Sequence, residues 1–158
     1  MRRVIFLVTL VGALVAMLAL SGAAVAQSSV LDDFNLDSPP VTVLQTELTG
    51  EEEVPGPGDP DGSGSATIIV IPPDTICYIL TAEDIAPATA AHIHVGKRGE
   101  AGDVVLPLEP PTFGVSGGCT QAAPELVSNL QENPENYYVN VHNEEYPDGA
   151  IRGQLSEE

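Results

Sequence analysis

The sequence predicts an all-β fold: a Greek-key antiparallel β-sandwich of about seven short strands with one short helix. Three observations predict it. Short β-branched and apolar runs recur along the chain, several alternating with period two, as residues 41–48 and 137–142 do. Clusters of Pro, Gly and Asp separate these runs. Only one stretch, Pro124 to Glu132, carries helical spacing.

Val41 to Leu48 opens the set, with Val41, Val43 and Gln45 on one face and Thr42, Leu44, Thr46 and Leu48 on the other. Gly50 to Gly64 is a long turn rich in Glu, Pro, Gly and Asp. Ser65 to Ile71 is β-branched and stops at Pro72-Pro73. Thr75 to Ala82 is a third strand and carries Cys77. Ala90 to Val95 is a fourth, followed by a glycine-punctuated loop to Gly102, then Val104 to Leu108. Residues 109–123 read as a Pro/Gly-rich connection carrying Cys119. In the helix, Pro124 suits a first turn, Leu126, Val127 and Leu130 form an apolar side, and Asn133-Pro134 ends it. Tyr137 to His142 is a strand; Tyr146-Pro147-Asp148-Gly149 turns the chain, and Ala150 to Leu155 closes a hairpin.

Residues 1–26 stand apart from this pattern. Arg2 and Arg3 precede an apolar run from Val4 to Leu20, and Ala24-Val25-Ala26 fits a signal-peptidase site. The expectation is a signal peptide cleaved after Ala26, a flexible arm over 27–40, and one domain over 41–156. The leader takes two of the five basic residues, leaving three against 23 acidic ones, a formal charge of −20. Such a surface repels nucleic acid and anionic membranes and suits cations or a basic partner. Export also gives the two cysteines a reading. An even count in an oxidising compartment suggests a Cys77–Cys119 disulfide, worth about 4 kcal/mol by constraining the unfolded chain.

The candidate site lies on two strands. His92 and His94 share one strand face, and Tyr138, Asn140 and His142 share a face of another. These are the only three histidines of the chain. Side by side, the two strands would bring three imidazoles together, a donor set suited to zinc or copper, with Tyr138 and Asn140 placed to orient the rings. Ligands of one such ion, with bonds of about 2 Å, lie about 3–4 Å apart. The competing reading is a polar patch bonded to backbone or carboxylates, with Ile93, Val95, Val139 and Val141 facing the core. Arg152 is expected to pair with a carboxylate and pin the last strand. The Asp59-Pro60-Asp61-Gly62 turn lacks a Glu at the position a calcium loop needs, which falls on Val70, so it reads as a turn. No arrangement of nucleophile and base stands out.

These motifs together resemble the CHRD domain, the module named after chordin. Leu48-Thr49-Gly50 to Pro55 with Gly62 to Thr67 is similar to its start, Ala90 to Gly96 with Gly99 and Gly102 to its middle. Tyr137 to His142 and Pro147 to Leu155 are similar to its end. The resemblance implies an extracellular module of β-sandwich type. A fainter likeness is to copper/zinc superoxide dismutase, another Greek-key sandwich with a His-x-His strand and a disulfide. Its two-metal site needs six histidines and an aspartate, which three histidines cannot supply. The sequence thus points to a secreted, extracellular or periplasmic module, more a non-enzymatic binding or structural unit than an enzyme. The alternative is a mononuclear copper- or zinc-binding protein using His92, His94 and His142. The partner, an extracellular protein or a cation, and the oligomeric state are left unassigned.

Overall fold

A computed structural model describes residues 39–157. The expected leader and residues 27–38 of the expected arm lie outside the described residues. The described residues hold nine strands, all paired antiparallel, one α-helix and two single-turn 3-10 helices, Gly50–Glu52 and Pro134–Asn136. Strand β1 (Thr42–Thr49) pairs with β2 (Ser63–Ile71), and β2 with β3 (Thr75–Glu83), in continuous register. β4 (Ala90–Val95) pairs with β5 (Val104–Leu108), and β6 (Val115–Gln121) returns to β3. Helix α1 (Pro124–Glu132) leads to β7 (Tyr137–His142), β8 (Ile151–Gln154) and β9 (Ser156–Glu157).

The strand order is β5-β4-β7-β8-β1-β2-β3-β6, with β9 also on β1. This single sheet behaves as two halves. β5-β4-β7-β8 meets β1-β2-β3-β6 at one pair of residues, Thr49 and Arg152, reinforced where β9 runs along β1. The chain changes halves between β3 and β4, between β5 and β6, and between β6 and β7. That gives β6 the non-sequential neighbour β3 and β7 the non-sequential neighbour β4, the pairing logic of a Greek key.

The curl is driven by burial. Leu44, Leu48, Ile68, Val70, Ile76 and Leu80 from one half join Ile93, Val139, Val141 and Ile151 from the other in one core cluster, each fully buried. A fully buried side chain of this size contributes roughly 1.5–3 kcal/mol. Alternation in β1, β2 and β3 follows from this, since every second residue faces the core. Helix α1 closes one side with Val127 and Leu130.

Two elements differ from the sequence expectation. The stretch 115–121, read as a connection, is the edge strand β6. Ser116, Gly117 and Gly118 lower its intrinsic strand signal, but seven successive pairs with β3 hold it in place. The added β9 is a two-residue extension of the last strand. Val95, expected on the core side, is 40% exposed, because it lies at the strand end where the chain leaves for the Gly96–Gly102 loop. The disulfide forms as expected: Cys77 and Cys119 face each other across β3 and β6.

Candidate metal centre

β4 and β7 are neighbours, and their register decides what meets. Ala90 faces His142, His92 faces Asn140 and His94 faces Tyr138. β8 extends the same rows, with Arg152 opposite Asn140 and Gln154 opposite Tyr138. The strands turn Ile93, Val139, Val141 and Ile151 inward, so the opposite face carries His92, His94, Tyr138, Asn140, His142, Arg152 and Gln154.

That polar face is not simply exposed. Among its residues His94, Tyr138, Asn140 and Arg152 are buried. The loop after β4 folds over it. His94 Nδ1 donates to the Gly102 carbonyl at 2.8 Å, and the Gly102 N–H donates to the Tyr138 hydroxyl oxygen at 3.2 Å. Gly102 has to be glycine, since a Cβ there would overlap the carbonyl oxygen of Val95. Gln154 Nε2 clips the same loop through the Gly96 carbonyl at 2.9 Å.

The three imidazoles converge. One ring nitrogen from each of His92, His94 and His142 lies within 4.8 Å of the other two. His92 Nδ1 and His142 Nε2 are 3.2 Å apart, the spacing of two ligands on one zinc or copper ion. His94 is the outer member, its ring centroid 5.5 Å from that of His92 and 6.5 Å from that of His142, so sharing one ion would require it to draw in. The tautomers are set by backbone carbonyls, which only accept. His142 Nδ1 donates to the Pro147 carbonyl at 3.0 Å, and His94 Nδ1 to Gly102. These two rings therefore present Nε2 as a lone pair, the arrangement outer-shell carbonyls impose on metal-ligating histidines, while His92 faces the cluster with Nδ1. His94 Nε2 is buried and has no hydrogen-bond partner. Burial, with neighbouring histidine charge, pushes the His92 pKa below its ordinary value, and burial does the same to His142. Both are held in the neutral form that ligates metal.

Tyr138 and Asn140, expected to orient the rings, both touch them. The Tyr138 ring stacks on His94, 4.8 Å between centroids and 10° between planes. Asn140 Oδ1 lies 3.0 Å from His142 Nε2.

Arg152 departs from expectation. It is 1% exposed, yet the single ion pair among the described residues joins Arg98 to Glu52. Arg152 Nη2 donates to the Lys97 carbonyl at 3.0 Å, and its guanidinium carbon lies 3.4 Å from the Tyr138 ring centroid. The carboxylate that interacts with it, Glu53, is buried beyond ion-pair reach, and its pKa is pushed up to about 7 by burial despite the attraction of Arg152. Strand order explains the substitution: β8 sits beside β7, so the guanidinium reaches the Tyr138 face first. His94 on β4 and Arg152 on β8 thus flank Tyr138 from the two neighbouring strands.

Sequence reasoning gave no role at the site to Gly102, the Pro147 carbonyl or Glu53. The first two act through backbone atoms, which leave no side-chain signature. Glu53 sat among three consecutive glutamates that read as a solvated edge. The Asp59 turn is a turn, with Asp59 Oδ1 accepting from the Asp61 N–H at 3.3 Å.

The family model of the CHRD domain matches residues 44–155, most of the chain. No curated protein and no solved structure matches it.

Proposed function

This chain belongs to the CHRD domain family, and we propose that it works as an exported, non-enzymatic module that binds a transition-metal cation, copper or zinc, through His92, His94 and His142. The observation that carries the reading is the convergence of three imidazoles with His94 Nε2 buried and unpartnered. A buried acceptor without a partner costs about 1–3 kcal/mol, which a bound cation offsets. Imidazole nitrogen suits zinc and copper over the hard, oxygen-seeking cations. The acidic surface favours approach of any cation. Export is supported by the leader pattern of residues 1–26 and by the Cys77–Cys119 disulfide, which belongs in an oxidising compartment. No helix among the described residues is long and apolar enough to cross a membrane.

The test is calorimetric titration of tag-free, chelator-treated protein with Zn²⁺ and Cu²⁺, beside His92→Ala and His142→Ala variants. The expected result is one ion per chain in the wild type and loss of that binding in both variants. Absence of stoichiometric binding, or equal binding by the variants, overturns the reading.

A further inference from the structure

We infer that Asn140 supplies the fourth donor through Oδ1, so that three imidazole nitrogens and one amide oxygen hold the ion in a closed site. The inference rests on the reading of the histidine cluster as a metal centre, and goes further by assigning the position that a three-histidine site leaves open.

Backbone carbonyls place the protons. The Pro147 carbonyl takes the proton of His142 Nδ1, so the Nε2 of the neutral ring is a lone pair. Facing it at 3.0 Å is Asn140 Oδ1, an oxygen that also only accepts. In the metal-free protein His92 Nδ1–H is placed to donate to that His142 Nε2 lone pair at 3.2 Å, while Asn140 Oδ1 faces the same nitrogen with no proton of its own to share. His94 Nε2, in the same cluster, is a third lone pair without a donor. With its proton carried on Nε2 instead, His92 Nδ1 completes the group 3.2 Å from His142 Nε2. With donor bonds of about 2 Å, edges of 3.0 and 3.2 Å subtend angles of roughly 95–105° at a common ion, within the range of a four-coordinate centre. Asn140 is 3% exposed and sits mid-strand between His92 on β4 and Arg152 on β8, so it has little freedom to turn away. An amide turned over would instead offer its NH₂ to Nε2 and act as a positioning residue. The two arrangements differ in one decisive respect: only the first fills the ion's last coordination position. Structural zinc sites are closed in this way, while catalytic ones keep a position for water. A closed site holds its ion without offering it to a substrate, in keeping with a non-enzymatic module.

The experiment uses cobalt(II) as a spectroscopic stand-in for zinc in the full domain, with azide as a probe of an open position. The expected wild-type result is a four-coordinate cobalt spectrum that azide does not alter. Asn140→Leu should bind Zn²⁺ at least tenfold more weakly and acquire an azide-sensitive cobalt spectrum. Asn140→Asp, which keeps an oxygen donor, should bind at least as tightly as the wild type and remain azide-insensitive. A wild-type spectrum that azide shifts overturns the inference while leaving the three-histidine site standing. Failure of cobalt and zinc to bind at all removes both. Should Asn140→Leu fail to fold, the wild-type and Asn140→Asp azide responses still decide the matter.

Discussion

Replacement of Glu53 by glutamine should make the domain more stable at alkaline pH and leave it nearly unchanged at acid pH. Glu53 is 7% exposed, and its carboxyl lies against Gly149, where a Cβ would collide with it. Gly149 also has φ +147°, so the turn and the burial of Glu53 depend on the same glycine. The carboxyl titrates near 7 in the fold against an ordinary value of 4.5. The folded state therefore binds this proton more tightly than the unfolded chain does. Stability contributed by the neutral carboxyl is present in full below pH 4.5 and is lost as pH rises through 7. The interval corresponds to a loss of about 3 kcal/mol, complete above about pH 8. Glutamine keeps the shape and stays neutral, so it escapes the loss. Urea unfolding of chelator-treated wild type and Glu53→Gln at pH 4 and pH 8.5 measures it. With a urea slope of about 1–3 kcal/mol/M, the midpoints should coincide at pH 4 and separate by about 1–3 M at pH 8.5, the variant being the more stable. An offset that does not change with pH would refute the reasoning, because it would place Glu53 in water in both states.

Four further outcomes follow from the same structure. The double variant Cys77→Ser/Cys119→Ser should lose about 4 kcal/mol of unfolding free energy, read by urea denaturation, since the bridge closes a 42-residue separation. Gly102→Ala should displace the loop whose carbonyl orients His94 and weaken zinc binding about 10–100-fold in a competition titration. Zinc affinity should fall as pH drops through the lowered His92 and His142 values, because protons compete for the ring nitrogens. In the metal-free protein the lowered His92 and His142 values mean that their contribution to stability is present above 6.5 and lost as pH falls through their folded values. Thermal melts across pH 5–8 with and without zinc check both statements.

Much of this was legible in the chain because side-chain alternation is local. Leu44 and Leu48 declared the buried face of β1, and the spacing of His92 with His94 and of Asn140 with His142 declared two polar faces. The pairing of those faces was not local. It depends on a Greek-key crossover that places β7 beside β4, fifty residues away. β6 escaped notice because Gly117 and Gly118 carry no strand preference of their own and take their conformation from β3. The partner of Arg152 escaped for a different reason. A buried guanidinium is satisfied by whatever the folded loops bring, here the Lys97 carbonyl and the Tyr138 ring, and no spacing in the sequence encodes either.

The position of the disulfide gives it a reach beyond its own strands. Cys77 and Cys119 both lie in the half-sheet opposite the histidines, yet the segment between them is an excursion that crosses over, forms the β4–β5 hairpin and returns. His92 and His94 ride on that hairpin. The bridge thus tethers two of the three rings, capping how far they can stray from β7 when the sheet loosens and raising their effective concentration at His142. Reduction at a distant pair of sulfurs would slacken this tether without touching a single imidazole.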